Sequence, residues 1–287
     1  MGKNSITRGG VNPNMLIYNS QYFISPITRQ YFARVNAAGG DVQDKKAIND
    51  FVIGLSRIVD PSLWVCWPLR SSQSVGTGTN APSLGLLGDF PGTLINGPTW
   101  GADGITFDGS TNYISLNATG VFRDQSAGWL VGVAKDTNLA GGTTSHFVAS
   151  FTINNATQLR TSIATKSVAV AFQAVGRRTD ADVASVANSG ISNENWNFLE
   201  HRSDWGAGTH RITVNGSASL TSAYSSGSGN TSDTNSSIVS IGSTGGINYF
   251  PGSISFVLAC RSLPSLAVAE QVRALYKSTL GQGLGLP

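Results

Sequence analysis

Ile241-Gly242-Ser243-Thr244-Gly245-Gly246-Ile247-Asn248-Tyr249-Phe250-Pro251-Gly252-Ser253-Ile254-Ser255-Phe256-Val257-Leu258-Ala259-Cys260 is the stretch that decides the fold. A short strand ends at Ile241-Gly242, a Gly-rich turn follows, and apolar alternation then runs from Gly252 to Cys260 as a second strand. Beyond it, Ser265-Leu266-Ala267-Val268-Ala269-Glu270-Gln271-Val272-Arg273-Ala274-Leu275-Tyr276 switches to helical spacing. The predicted helix covers 265–280, and Gly281 stops it.

Working back from this closing unit, the period stays near two. Strands are expected at 63–69, 92–95, 105–107, 113–116, 128–134, 147–153, 159–164, 168–174, 196–202, 210–214, 238–241 and 253–260. Asp103-Gly104, Asp108-Gly109, Asn154-Asn155 and Asn215-Gly216 separate them as turns. Asn215-Gly216 is the strongest of these, because a type I′ hairpin turn needs positive φ at both central residues. The Ser/Gly/Asn stretch 225–237 reads as a surface loop. Two antiparallel sheets packed face to face satisfy this pattern.

The N-terminal end is different. Residues 1–24 are polar and Asn- and Gly-rich, with Lys3 and Arg8 and no acid before Asp41, yet they carry Leu16, Ile17, Tyr18, Tyr22 and Phe23. A segment with so many large apolar groups is an arm that packs on its own domain or orders against a neighbouring subunit. Ser25-Pro26 then caps a helix with Ile27, Tyr31, Val35 and Ala38 on one face, ended by Gly39-Gly40. Asp41 is expected to cap a second helix, with Asp44 in its first turn, an apolar stripe of Ile48, Phe51, Val52, Leu55 and Ile58, and Pro61 at its end. The chain thus divides into an arm (1–24), a helical hairpin (25–61) and a β domain (62–287). The hairpin cannot bury both stripes alone and must dock on the sandwich or on a partner.

Composition narrows the function. With 287 residues, 12% charged and a net charge of +3, the chain lacks the clustered basic face of a nucleic-acid binder. Arg177-Arg178 and Lys45-Lys46 read as solvated surface. No apolar run is long enough to insert in a membrane. No secretory leader follows Lys3 and Arg8, and Met1-Gly2 lacks the Ser or Thr that a myristoylation motif needs at position 6. Cys66 and Cys260, on strands expected to lie near each other, read as buried thiols in a reducing compartment, with a cross-strand bridge as the alternative.

Several segments resemble the laminin-G or concanavalin-like jelly roll: the closing strand and helix, Ile105-Thr106-Phe107-Asp108-Gly109-Ser110-Thr111-Asn112-Tyr113-Ile114, the strand opened by Gly128-Trp129, and Trp196 to Gly216. The resemblance covers roughly 63–280 and implies a mainly β jelly-roll sandwich with a small N-terminal helical hairpin and a C-terminal helix. It also implies binding of sugars, proteins or surfaces more often than catalysis. The helix pair leading into Leu63-Trp64-Val65-Cys66-Trp67-Pro68-Leu69-Arg70 is similar in layout to minor virion or tail proteins of tailed bacteriophages. That second resemblance implies a virion component made in the host cytoplasm. It would be present in several copies, would contact other virion proteins, and would be anchored through Leu16, Ile17, Tyr18, Tyr22 and Phe23.

The search for chemistry finds no catalytic residues. Glycoside hydrolysis needs two facing carboxylates, and the chain has only Glu194, Glu200 and Glu270. Glu200 and Asp204 have i, i+4 spacing, but the sequence between suggests that the strand ends before Asp204. His146, His201 and His210 lack metal-ligand spacing and read as hydrogen-bonded strand-end residues, with His201 and His210 facing each other across a hairpin. Asp103 and Asp108 read as turn formers rather than calcium ligands, and no cofactor motif is present. For ligand binding, a sugar ring wants an exposed aromatic beside Asn, Asp or Gly. Asp204-Trp205 and Asn248-Tyr249 have that character. Trp64, Trp67, Trp129 and Trp196 are core candidates. The sequence therefore supports two functions: a non-enzymatic virion component displaying the jelly roll, or an adhesin that binds a host-surface glycan.

Overall fold

The structure, a computed structural model, describes residues 23–118, 120–138, 145–152, 159–166, 171–178, 185–189, 194–217, 221–224 and 238–287. Leu16, Ile17, Tyr18, Tyr22, the Asn154-Asn155 turn and the loop 225–237 lie outside them. Two antiparallel sheets make a sandwich, and helices cover one of its outer faces.

The sheet beneath the helices has the order β15 (Ser222–Ala223), β14 (Thr209–Val214), β13 (Asn197–Asp204), β8 (Ala127–Asp136), β17 (Pro251–Cys260), β1 (Trp64–Pro68) and β3 (Leu84–Gly85). On one edge β6 (Ile105–Asp108) joins β17, and β5 (Thr99–Trp100) joins β6. The facing sheet runs β12 (Ser185–Asn188), β11 (Ala171–Gly176), β10 (Leu159–Lys166), β9 (Ser145–Thr152), β16 (Ile238–Ile241), β7 (Tyr113–Leu116), β4 (Gly92–Ile95) and β2 (Asn80–Ala81).

The central strands of the first sheet read as unbroken apolar runs because both of their faces are buried. Val65, Trp67, Leu130, Val257 and Ala259 point into the sandwich. Trp64, Cys66, Trp129, Val131, Leu258 and Cys260 point the other way, into a second core shared with the helices. In β17 the register against β8 shifts between Ile254 and Phe256. This bulge at Ser255 places Ile254 and Phe256 in different cores despite their two-residue spacing.

The helices are α1 (Pro26–Ala37), α2 (Lys45–Ile58) and α3 (Leu266–Ser278). Ser25 caps α1 as expected, accepting from the Thr28 N–H at 3.1 Å, which contributes about 1 kcal/mol. The cap of α2 is Asp44, not Asp41. Asp41 instead pairs with Lys45 at 3.1 Å, while the Asp44 carboxylate accepts from the Ser72 hydroxyl at 2.9 Å. Phe51 of α2 meets Phe256 of β17 and Tyr276 of α3 edge to face, with centroids 5.5 and 6.4 Å apart, and Phe256 and Tyr276 pack tilted at 4.9 Å. The stripe Ile48, Phe51, Val52 and Leu55 is fully buried against the chain's own sheet. The hairpin is thus a third layer of one packed body.

Cys66 and Cys260 are both buried free thiols, one on β1 and one on β17, offset by two residues in register. Burial pushes both thiols above their usual range. No helix among the described residues is long and apolar enough to cross a membrane.

Candidate functional site

The two aromatic turns singled out from sequence sit at opposite ends of the sandwich. Asp204 pairs with Ala127 at the start of β8, whereas Gly252, just after Tyr249, pairs with Asp136 at its end. Ten residues of strand separate them, roughly 30 Å. They cannot share one ligand.

Trp205 is not a binding surface. Strand β13 continues through Asp204, beyond the end expected from sequence, and delivers Trp205 into the core with no exposed area. Its ring packs on Phe122 at 5.7 Å, and its Nε1 donates to the Arg177 carbonyl at 3.1 Å. The space it fills is left open by Gly128, where a Cβ would lie 2.7 Å from the indole. Arg177 and Arg178 brace this corner and are not a solvated pair: Arg177 is buried, and Arg178 Nε donates to the Trp205 carbonyl at 2.9 Å. Asp204 is half-buried and accepts from the Ala207 N–H at 2.7 Å, closing the turn.

Beside this corner lies a buried polar chain that sequence reading only partly anticipated. The Thr161 hydroxyl meets His201 Nδ1 at 2.8 Å, His201 Nε2 meets His210 Nδ1 at 3.2 Å, and His210 Nε2 meets the Ser185 hydroxyl at 3.1 Å. Tyr224 stacks on His210 at 4.5 Å. The two histidines do face each other, but inside the sandwich rather than at a wet strand end. Burial pushes His210 down to about 4. Burial, and next the neighbouring His210, hold His201 well below the usual imidazole range. His146, the third histidine, has its Nδ1 3.3 Å from buried Asp136. Among the described residues no group of His, Cys, Asp or Glu is arranged to hold a metal.

At the other end, the Gly242–Tyr249 segment is a built loop. It turns back over the outer face of the second sheet, where the Ser150 and Ser240 hydroxyls donate to the Ser243 carbonyl at 2.9 and 2.7 Å. Gly245 N–H donates to Ser240 at 3.0 Å, Gly246 N–H to Ser243 at 3.1 Å, and Thr244 N–H to the Ile247 carbonyl at 2.8 Å. Gly242 must be glycine: its φ is +80°, and a Cβ would meet the Phe107 ring at 2.6 Å. Asn248 takes φ +54°, which its short polar side chain tolerates. This backbone presents Tyr249 half-exposed, its ring 6.3 Å from half-exposed Tyr113 and its hydroxyl donating to the Gly246 carbonyl. Ile247 stands beside them, 36% exposed.

The neighbouring turns are equally fixed. Burial alone would raise the Asp108 carboxyl. Backbone N–H bonds from Thr111, Asn112 and Ser110 outweigh that and hold it well below the carboxylate range. All these donors lie within its own turn, so Asp108 is a turn former. Asp103 lies 3.8 Å from Arg70. Asn96 and Asn112 exchange bonds with each other's loops, Asn96 Nδ2 to the Thr111 carbonyl at 2.9 Å and Asn112 Nδ2 to the Asn96 carbonyl at 3.1 Å. The result is an aromatic pair, Tyr113 and Tyr249, on a hydrogen-bonded frame.

No protein-family model and no curated protein matches the chain. Solved structures do. The crystal structure of the HCR/D F1240A mutant superposes with a TM-score of 0.56 at 9% identity, covering 76% of this chain and 52% of that one. The binding domain of botulinum neurotoxin DC in complex with SialylT gives 0.53 at 10% identity, covering 76% and 52%. The Trypanosoma rangeli sialidase in complex with the inhibitor DANA gives 0.51 at 8% identity, covering 83% and 39%. The chain therefore spans about half the length of the first two structures or less of the third. These likenesses define the class: a mainly β, two-sheet sandwich of the jelly-roll kind. They say nothing of a phage origin.

Proposed function

We propose that the chain is a non-catalytic recognition module that binds a glycan through the Tyr249 loop. The observation that carries this reading is the Tyr249–Tyr113 pair. Two half-exposed rings stand together where a hydrogen-bonded loop presents one of them, beside Asn248 and an exposed Ile247. Such a surface offers a ring face to the C–H side of a sugar and the Asn248 side chain to its hydroxyls. The loop is wired in place before any ligand arrives, so little ordering entropy opposes binding. Two of the similar folds, a toxin binding domain in complex with SialylT and a sialidase, support the same direction.

A glycan array tests it. Wild-type protein should give a saturable signal that Tyr249→Ala and Tyr113→Ala lose while their unfolding midpoints stay close to wild type. Silence of the wild type across the array, or equal signals from the variants, overturns the reading.

A second reading, display on a phage particle through the N-terminal arm, is favoured by one observation. Phe23 is 66% exposed where the described chain begins, beside an apolar groove of about 400 Å³ lined by Pro26, Ile27, Val52, Ile53, Pro61 and Leu86. Removing residues 1–22 should leave a folded sandwich that no longer enters particles; normal incorporation refutes the anchoring role.

A further inference from the structure

A cleft lies on the opposite face of the molecule from the Tyr249 loop. It occupies about 610 Å³ between β13, β14 and the start of α3. Its lining sets Glu200 and Glu270 against Arg211 and Arg273, and buried Arg202, outside the lining, adds a third guanidinium beside it. Arg202 and Arg211 are direct cross-strand partners on β13 and β14, a juxtaposition of like charges that a sheet ordinarily avoids. Arg202 is 3% exposed and donates through Nη2 to the Pro264 carbonyl just before α3, but its Nε and Nη1 have no hydrogen-bond partner. Glu200 is the nearest carboxylate, 3.8 Å from Nη1.

Neither glutamate in the cleft offsets Arg211. Burial raises the Glu200 carboxyl, against the pull of Arg202 and the Trp129 N–H, whose bond to Oε2 is 2.9 Å. Glu270 is spent on Arg273, which grips both of its oxygens at 2.9 and 2.7 Å. Arg211 is left half-buried at the cleft wall. Beside it stand the hydroxyls of Thr213 and Ser217 and the first turn of α3 at Leu266 and Ala267. That turn contains no acidic residue, and α3 lines the cleft with its flank, through Leu266, Ala267, Ala269, Glu270 and Arg273.

We propose that this cleft binds an oxyanion group, a carboxylate or a phosphate, carried by a small polar ligand. Arg211 is its principal donor, Ser217 adds a hydroxyl contact, and buried Arg202 supplies the surrounding positive potential. An anion seated there balances the adjacent guanidinium pair, and charge-assisted bonds to arginine are the strong kind. The inference does not depend on the Tyr249 reading, because the two sites lie on opposite faces.

Titration calorimetry at fixed ionic strength tests it, with inorganic phosphate, glucuronate and glucose as probes and the full chain as receptor. Phosphate or glucuronate should bind saturably and glucose should not. Arg211→Gln should weaken the binding at least tenfold, Ser217→Ala several-fold, and both should unfold near the wild-type midpoint. A carboxylate-only or phosphate-only response identifies the source of the oxyanion and supports the site. Absence of saturable binding by both anions, equal binding of glucose, or binding indifferent to Arg211→Gln overturns it. Tyr249→Ala should leave anion binding unchanged, so a silent glycan array with Arg211-dependent phosphate binding removes only the glycan reading.

Discussion

The Asp204-Trp205-Gly206 and Asn248-Tyr249-Phe250 turns look alike in sequence and behave as opposites in the fold. Each places an aromatic beside a short polar residue at a strand boundary. Trp205 is a core plug with no exposed area, while Tyr249 is a half-exposed surface ring. The difference comes from partners far away in the chain. Trp205 faces Gly128 on the adjoining strand, whose missing side chain makes its socket. In the other turn the following residue, Phe250, takes the core position, and Tyr249 is left outside against Tyr113. Whether a turn aromatic is available for a ligand is decided by what the neighbouring strand leaves empty.

The sharpest way to break this contrast is to truncate both rings. Trp205→Ala should cost about 3–5 kcal/mol, the usual range for emptying a fully packed aromatic site. Tyr249→Ala should cost under about 1 kcal/mol, as for most surface substitutions. Urea unfolding of the two variants decides it, and comparable losses would refute the plug-and-platform distinction.

Acid should find the same asymmetry. His201 and His210, near Trp205, have folded pKa values pushed below the ordinary 6.5. The unfolded chain then takes up protons first, so stability is full above about pH 6.5 and declines as pH falls toward 4. A fall from 6.5 to about 4 at His210 alone is on the order of 3 kcal/mol. Stability measured from pH 7 to 4.5 should show this slope, and His210→Gln should flatten it. An unchanged slope in that variant places the acid sensitivity elsewhere. Tyr249→Ala should leave the slope as it is.

A small effect is also expected at Gly246. Its φ of +83° strains any L side chain, although a Cβ there meets nothing closer than 3.6 Å. Gly246→Ala should therefore cost about 1 kcal/mol and weaken glycan binding more than stability, if loop geometry positions the ring. Wild-type binding by this variant would show that the loop's shape is incidental.

The sheets were readable because alternation and turn chemistry are local. The strands at 92–95, 113–116 and 238–241 coincide with β4, β7 and β16. The two-residue strands β2, β3, β5 and β15 were not, since two residues carry no period. The Asp41 expectation failed because a nearby lysine, invisible to capping rules, holds that carboxylate outside the helix. The place of Asn248 and Tyr249 in a turn was legible in the sequence. The partner ring, Tyr113, was not, because only the β7–β16 pairing brings that strand beside the loop. Glu200 was read as a strand-end charge. Its buried place beside Arg202 follows from β13 running on to Asp204 and from α3 lying over it. The Arg202–Arg211 pairing likewise needs the hairpin register, which the sequence alone leaves open.

The position of β17 has a consequence for the order in which the molecule can be made. It is the last strand in chain order yet lies in the middle of its sheet, between β8 and β1. Until residues 251–260 have been synthesised, that sheet exists as two unjoined halves, and the stripes of α1 and α2 have no finished surface to cover. Contacts this distant in sequence close slowly, and the waiting halves present open edges of the kind that pair with other chains. Expression conditions that slow synthesis should therefore prolong the vulnerable stage, and chains interrupted before Pro251 should accumulate as aggregates rather than as smaller folded domains.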